Sequence, residues 1–397
     1  MNDVNLKPGK KIQISDVVDQ AERAVQMVRQ VRTSMLAPNV RKSPPTFSLT
    51  QLADVCGIDK GQVSYRLSKN DLPQGSLNAT GSRREFSLSE VRKWAAHYRA
   101  SMLRPQGARA ITIAVGNFKG GVSKTTTAMV LAQGLSLRGH RVLLIDTDPQ
   151  GSLTTLFGIL PDTEVSEDQT IVPLAVGDET SIRKAIQTTY WDGIDLVAAA
   201  PVLFNAEFVL PARQMRDKTF QLWEVLNLGL EDVRDEYDII VIDTPPSLSY
   251  ITINAFIAAD GLVVPLPPNA LDFASSAQFW TLFSDFASGL VKSGGLSKTF
   301  DFINVLLARV DSSDVASEVV RSWITATYGE KVLPVEIPKT AVTSSSSAEF
   351  GTVYDVSRYE GNQKTYKRAR DAYDRVNDLM ETAIRMSWSS QLSEGGI

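Results

Sequence analysis

One cysteine, Cys56, is all the chain carries in 397 residues. A lone thiol excludes an intrachain disulfide and a cysteine-based metal site, and a reducing cytoplasm is the compartment expected. Long apolar runs are missing as well. No stretch approaches the roughly 18 residues of a membrane span. The polar start, Met1 to Lys11, is followed by no apolar signal region. Neither sign of charge dominates, with 41 Lys and Arg against 45 Asp and Glu for a net of −4. The length exceeds what one hydrophobic core usually serves, so two or more domains are expected.

The distribution of charge says more than its sum. Residues 1–110 hold 18 Lys and Arg against 9 Asp and Glu, while the remainder holds 23 against 36. A basic head on an acidic body points to a polyanion as the head's partner. Within the head, Ile14, Val18, Ala21, Val25 and Val28 alternate spacings of four and three. That is a short heptad-like seam on a helix, suited to dimerisation or to packing within its own domain. Ala37 to Pro45 then breaks the helix and reads as a linker, closing a first segment over 1–45.

Leu49 to Leu67 reads as a helix-turn-helix. Ala53, Gly57 and Val63 fall where that motif wants a small residue at the helix crossing, a left-handed turn and a buried aliphatic. The second helix would present Lys60, Gln62, Ser64, Tyr65, Arg66 and Lys69 to a DNA groove. Asn70 to Phe86, rich in turn formers, reads as a β-wing carrying Arg83 and Arg84. A further helix, capped by Ser87 or Ser89, turns Leu88, Val91 and Trp94 inward. Helical pairs that bind no DNA share this pattern, but the positive charge and basic wing favour DNA for the segment 46–107.

After a short linker, Arg104 to Arg109, apolar runs alternate with amphipathic segments over 108–397. Candidate strands lie at 111–117, 141–148, 194–200, 238–244, 261–267, 302–310 and 331–337. Continuous Val/Ile/Leu runs split by helices indicate an α/β fold with a mostly parallel, doubly wound sheet. Residues 161–190 lack periodicity and read as loops. The last helix carries Ala369, Tyr373, Val376, Met380 and Ile384 at helical spacing, and beyond Trp388 the tail reads as disordered. Its Asp371, Asp374, Asp378 and Glu381 would repel anionic lipid, so packing on the core is expected and no membrane partner.

Between the first strand and the segment Ala128 to Leu137 stands K-G-G-V-S-K-T-T, Lys119 to Thr126. A strand, a glycine loop and a helix are the setting of a phosphate loop. Gly120 and Gly121 let the backbone approach phosphate oxygens, and with Val122, Ser123 and Thr126 they form the cradle. Lys124 supplies a point charge to the β- and γ-phosphates, and the Thr125 hydroxyl is placed for magnesium. The strict glycine pattern is not met, because Phe118 and Ser123 occupy its glycine positions. Asp146 and Asp148 point the same way from their strand, and Asp243 ends another. One carboxylate of the pair could hold the magnesium shell while the other orients an attacking water.

The loop, the run Val142 to Gly151 ending D-T-D-P-Q-G, and the run Asp238 to Pro246 ending D-T-P-P together resemble the ParA/MinD ATPases with a deviant phosphate loop. The resemblance covers about residue 110 to the C-terminus. It implies a P-loop NTPase fold with ATP, ADP and Mg2+ as ligands, and Lys119 as the signature lysine that reaches the partner's ATP across a homodimer. It further implies Asp148 as the water-positioning residue, with Lys124 as the cis cation. Asp146 stands nearer the metal and Asp243 is the Walker B carboxylate. The loops at Pro268 and Pro338 are the suspected adenine contacts. The head is similar to that of large plasmid-type ParA proteins. A basic cluster, Lys364, Lys367, Arg368 and Arg370, matches the C-terminal surfaces with which the family holds DNA without sequence preference.

The function so implied is slow, partner-stimulated ATP hydrolysis in DNA segregation, with a ParB-like centromere-binding protein as partner. Autorepression of the chain's own operon and a cytoplasmic, nucleoid-associated location follow. A MinD-like membrane-positioning ATPase is the alternative. A reductase like the nitrogenase iron protein would need bridging cysteines in the body, and there are none.

Overall fold

The computed structural model describes residues 12–36, 42–78, 80–294, 298–339, 351–356 and 361–394. They divide into two compact units at Ser43 and Pro44. In the first, helix α1 (Ile14–Leu36) leaves Ile14, Val18 and Val28 of the expected seam exposed, with Val25 half-buried.

The second unit opens with the head. Its sheet contains β1 (Thr46–Ser48), β2 (Ser76–Leu77) and β3 (Arg84–Ser87) in the order β1-β3-β2, all antiparallel. Helices α2 (Leu49–Cys56) and α3 (Lys60–Lys69) form the expected pair. Each begins in a reciprocal capping box, Ser48 with Gln51 and Asp59 with Gln62. Gly57 turns between them at φ 66, and nothing lies within 4 Å of the place a Cβ would take. Backbone conformation, not space, requires glycine there. Ala53 and Val63 are buried. Ser87, not Ser89, caps α4 (Leu88–Tyr98), through a box with Glu90.

In the body, β4 (Ile111–Val115), β5 (Val142–Asp146), β6 (Gln187–Thr188), β7 (Ile194–Val197), β8 (Ile239–Asp243), β9 (Gly261–Leu266), β10 (Phe302–Val310) and β11 (Val332–Pro338) make one sheet. Its order is β11-β10-β9-β4-β8-β5-β7-β6, parallel throughout except for β6 at the edge. Residues Ile111, Ile113 and Val115 of β4 join one buried cluster and Ala114 the other, as side-chain alternation requires. Helices α5 (Lys124–Leu137) and, near the C-terminus, Gln363–Glu394 cover the first face with Met129, Leu135, Val376, Met380 and Ile384. The second face is covered by Tyr250–Ala258 and Ala270–Gly294, with Ile253, Phe256 and Phe279. Residues 161–190, read as loops, contain short helical turns at Pro161–Glu164, Glu167–Gln169, Val172–Val176 and Arg183–Ala185, then β6.

Head and body are fastened by polar side chains that reach from one to the other. Arg92 of α4 donates to Ser136 O at 3.1 Å and His140 O at 2.9 Å, and pairs with Asp192 at 2.8 Å. Arg99 pairs with Glu381, whose Oε1 lies 2.9 Å from Nε2 of the buried His140. The stretch Arg104 to Arg109, read as a linker, is itself pinned, Arg104 to Asp238 at 3.1 Å and Arg109 to Glu231 at 2.8 Å. Nor does order end at Trp388. The last helix continues to Glu394, and Trp388 is buried with its indole N–H donating to Arg109 O at 3.0 Å.

Cys56 lies in the core of the head, and burial pushes its thiol up to about 12, with nearby Arg99 acting against that. Only the thiolate is nucleophilic. Native protein at pH 8 is therefore expected to resist a disulfide reagent that titrates one thiol per chain after denaturation. Rapid labelling of the native form would contradict this packing.

Candidate functional site

The loop after β4 is shaped by two residues with left-handed backbone. Gly121 has φ 75 and Ser123, the residue before α5, has φ 76. Glycine adopts such a φ freely, whereas serine does so only where its surroundings hold it. Asn117 fixes the loop's entry. Its Nδ2 donates to Pro265 O at 2.9 Å and its Oδ1 accepts from Lys119 N at 3.2 Å. Lys124 then begins α5, is 7% exposed, and donates from Nζ to Lys119 O at 2.9 Å. Burial lowers its pKa, while Asp243 and Asp148 work the other way.

Above the loop lies a cleft of about 580 Å³. Its lining includes Gly120, Gly121, Ser123, Lys124, Thr125 and Thr126 from the loop, Asp148 from the end of β5, and Pro338 from β11. The cleft is large enough for a nucleotide, since ligand pockets run from roughly 300 to 1,000 Å³. Val122 is buried beneath it, and Pro268 is buried at the end of β9 outside the lining. Of the two proline loops, only the one at Ile337 and Pro338 contributes to the lining.

The carboxylates divide their work. Asp146 and Asp243 are register partners on neighbouring strands and both are fully buried. Burial pushes Asp146 up to about 7, although hydrogen bonds from Thr154 oppose it. Asp243 is raised well above the carboxylate range, first by burial and then by Asp146. Asp146 accepts from Thr154 N at 2.8 Å, Thr154 Oγ1 at 2.7 Å and Asp148 N at 3.1 Å. Its oxygens are thus engaged in holding the turn after β5. Both oxygens of Asp243 are buried away from solvent, and the nearby Thr125 hydroxyl and Lys124 ammonium oppose the rise in its pKa. Two adjacent buried carboxylates with raised pKa values favour a cation between them and the loop. Asp243 and the Thr125 hydroxyl are hard oxygen donors that fit Mg2+. Among the described residues no group of three or more His, Cys, Asp or Glu could hold a metal. Mg2+ suits such a site, since it commonly takes one or two protein oxygens and completes its shell with phosphate and water.

Lys119 does not line the cleft. Its Nζ pairs with Asp272, a buried carboxylate in the first turn of Ala270–Gly294. Asp148, half-buried at the cleft wall, accepts from Gln150 N at 2.9 Å.

The AAA domain family profile matches residues 110–293. A putative replication protein A of Rhizobium rhizogenes is 32% identical over 364 residues, 88% of this chain and 89% of that protein. The chromosome partitioning protein ParA of Caulobacter vibrioides is 32% identical over 276 residues, 68% of this chain and 97% of its own length. The chain belongs to the ParA family of partition ATPases. A solved structure titled partition protein shares the fold with a TM-score of 0.66 at 20% identity, over 94% of this chain and 98% of its own.

In this ParA-family chain the basic residues of the head are not equally free. Lys60, Ser64, Tyr65 and Arg83 are exposed, and Lys69 lies 5.5 Å from the Tyr65 ring centre. Gln62 uses its Oε1 to cap α3. Arg66 is held by Tyr98 at 3.2 Å and Asp71 at 2.5 Å, and Arg84 donates to Gln74 O. Near the C-terminus Lys364, Lys367 and Arg368 are exposed, but Arg370 turns inward over the Tyr354 ring at 4.0 Å and bonds Asp374 at 3.2 Å. Sequence reasoning missed Arg309 and Asp272 altogether. For Asp272 the signal was an Asn269-x-x-Asp272 cap at a helix start; for Arg309 it was one cation inside an apolar strand.

Proposed function

We propose that this chain binds ATP with Mg2+ in the cleft above Lys119 to Thr126, dimerises around the nucleotide and hydrolyses it slowly in DNA segregation. The observation that carries the reading is the buried Lys124 beside the buried Asp243 carboxylate, at the foot of a cleft of nucleotide size. In the mechanism, Lys124 draws charge from the terminal phosphates, and Asp243 with Thr125 would hold Mg2+. Asp148, at the cleft wall, orients the attacking water, and ADP remains in the same cleft after cleavage. When bound, Mg2+ supplies charge neutralisation to the phosphate oxygens. A role for Lys119 in the partner's site requires it to exchange Asp272 for phosphate, so formation of the homodimer is tied to the triphosphate. The exposed seam of α1 supports a second, nucleotide-independent dimer contact.

Two DNA surfaces complete the proposal. Lys60, Ser64, Tyr65, Lys69 and Arg83 suit the chain's own operator, which makes autorepression the head's task, while Lys364, Lys367 and Arg368 suit non-specific DNA. A ParB-like protein stimulates turnover, and the protein works on the nucleoid. Among the described residues no helix is long and apolar enough to cross a membrane. Binding to random and to self-promoter DNA, each with ATP and with ADP, tests the scheme. The expected result is random-DNA binding that needs ATP and promoter binding that survives in ADP. Random-DNA binding indifferent to nucleotide would rule the switch out.

A further inference from the structure

The end of β10 aims an arginine at the phosphate loop. The pairing of β10 with β11 shifts register between Val305 and Leu307 and again between Leu307 and Val310. Such irregularities re-aim side chains beside functional sites. Arg309 lies within the second shift at φ 54, a left-handed backbone that ordinary side chains avoid. Its neighbours Ala308 and Val310 are buried, whereas Arg309 is exposed and lines the cleft. Its Nη1 donates to Gly121 O at 2.6 Å. Among the described residues it forms no ion pair, so its charge is not spent on a carboxylate of the fold. A guanidinium carries five N–H donors, and Gly121 takes one.

The sheet order says which part of a nucleotide this cation would meet. Asp243 and Asp148, which serve the terminal phosphate and water, come from β8 and β5 on one side of β4. Ile337 and Pro338 come from β11, on the other side, with β10 between β11 and β9. A nucleotide lying across the strand ends has its base toward β11 and its terminal phosphate toward β5. Arg309 reaches Gly121 from the base side.

Resting on the nucleotide-site reading above, we propose that Arg309 is a third cation of the site and binds the non-transferred phosphates. It ties the base-side loop to the phosphate loop and grips ATP and ADP alike. Guanidinium–phosphate contacts are charge-assisted and geometrically specific, which explains an arginine at a strained position. Because the contact persists after the terminal phosphate leaves, it sets nucleotide affinity and not the rate of cleavage.

Fluorescent ATP and ADP binding to the full chain tests this, with Arg309→Ala, Arg309→Lys and Arg309→Gly beside a Lys124→Ala control. Arg309→Ala is expected to weaken both nucleotides by a similar factor, on the order of tenfold. The KM for ATP should rise by the same factor as the dissociation constants, the pattern of uniform binding lost. ADP affinity should also become less sensitive to salt, which a merely structural role would not change. Arg309→Lys recovers part of the affinity. Arg309→Gly, free of the backbone strain, binds as weakly as Arg309→Ala while melting no lower than the parent. Unchanged affinity in both Arg309→Ala and Arg309→Gly, with Lys124→Ala defective, overturns this proposal alone. Loss of ATP binding with ADP binding intact also overturns it, by moving Arg309 to the terminal phosphate. If Lys124→Ala too binds normally, the nucleotide-site reading fails with it.

Discussion

Lys124→Ala leaves the fold in place and lowers ATP turnover by at least about a hundredfold, the scale of removing one preorganised charge from a transition state. Lys124 is buried, donates to Lys119 O, and stands where desolvation opposes and Asp243 and Asp148 favour its charge. An ammonium held dry next to the phosphates acts at short range with little screening. Alanine removes that charge and leaves the raised Asp243 carboxylate without the cation that opposes its rise. Lys124→Arg restores little, because a planar guanidinium does not fill the place of a compact ammonium. Phosphate release at saturating ATP measures the effect, with circular dichroism confirming the fold. Turnover near the parent's value in Lys124→Ala would place the chemistry elsewhere.

Trp388→Ala is the second large effect, and it falls on stability. Trp388 is 1% exposed, rests 5.8 Å from the His140 ring centre and donates its indole N–H to Arg109 O. Truncating a buried aromatic of this size costs about 3–5 kcal/mol. The site lies at the start of β5, opposite the end that carries Asp146, so turnover below the melting transition stays near normal. Thermal unfolding followed by fluorescence should show a clear loss for Trp388→Ala and a small one for Trp388→Phe, which keeps most of the packing. Equal midpoints for Trp388→Ala and the parent would mean that the helix beyond Met380 contributes little to the core.

Much of the candidate site was legible because phosphate chemistry writes itself locally. Gly120, Gly121, Lys124 and Thr125 act within one turn of chain, and a turn's geometry is set by its own residues. The strands were legible for a related reason. A sheet covered on both faces tolerates only apolar residues, so β4, β5, β8 and β9 stand out as Val, Ile and Leu runs between helices. The head's two helices followed from Ala53, Gly57 and Val63, each fixed by a neighbour less than ten residues away. What escaped was the use of each side chain. Gln62 and Arg66 look like groove-reading residues on a helical wheel, yet one caps its own helix and the other is tied to Tyr98 and Asp71.

By itself the sequence determined the phosphate loop, the parallel α/β body and the helix pair of the head, since each is encoded by spacing over one turn or one strand. Tertiary structure alone decided that Lys119 meets Asp272, that Asp146 is occupied by Thr154, and that Arg309 reaches Gly121. It also decided why a glycine sits inside α5, where a Cβ on Gly134 would come 2.2 Å from Asn377 Nδ2. These pairs stand from 8 to more than 240 residues apart in the chain. The order of strands in the sheet brings most of them together, and no local periodicity records that order.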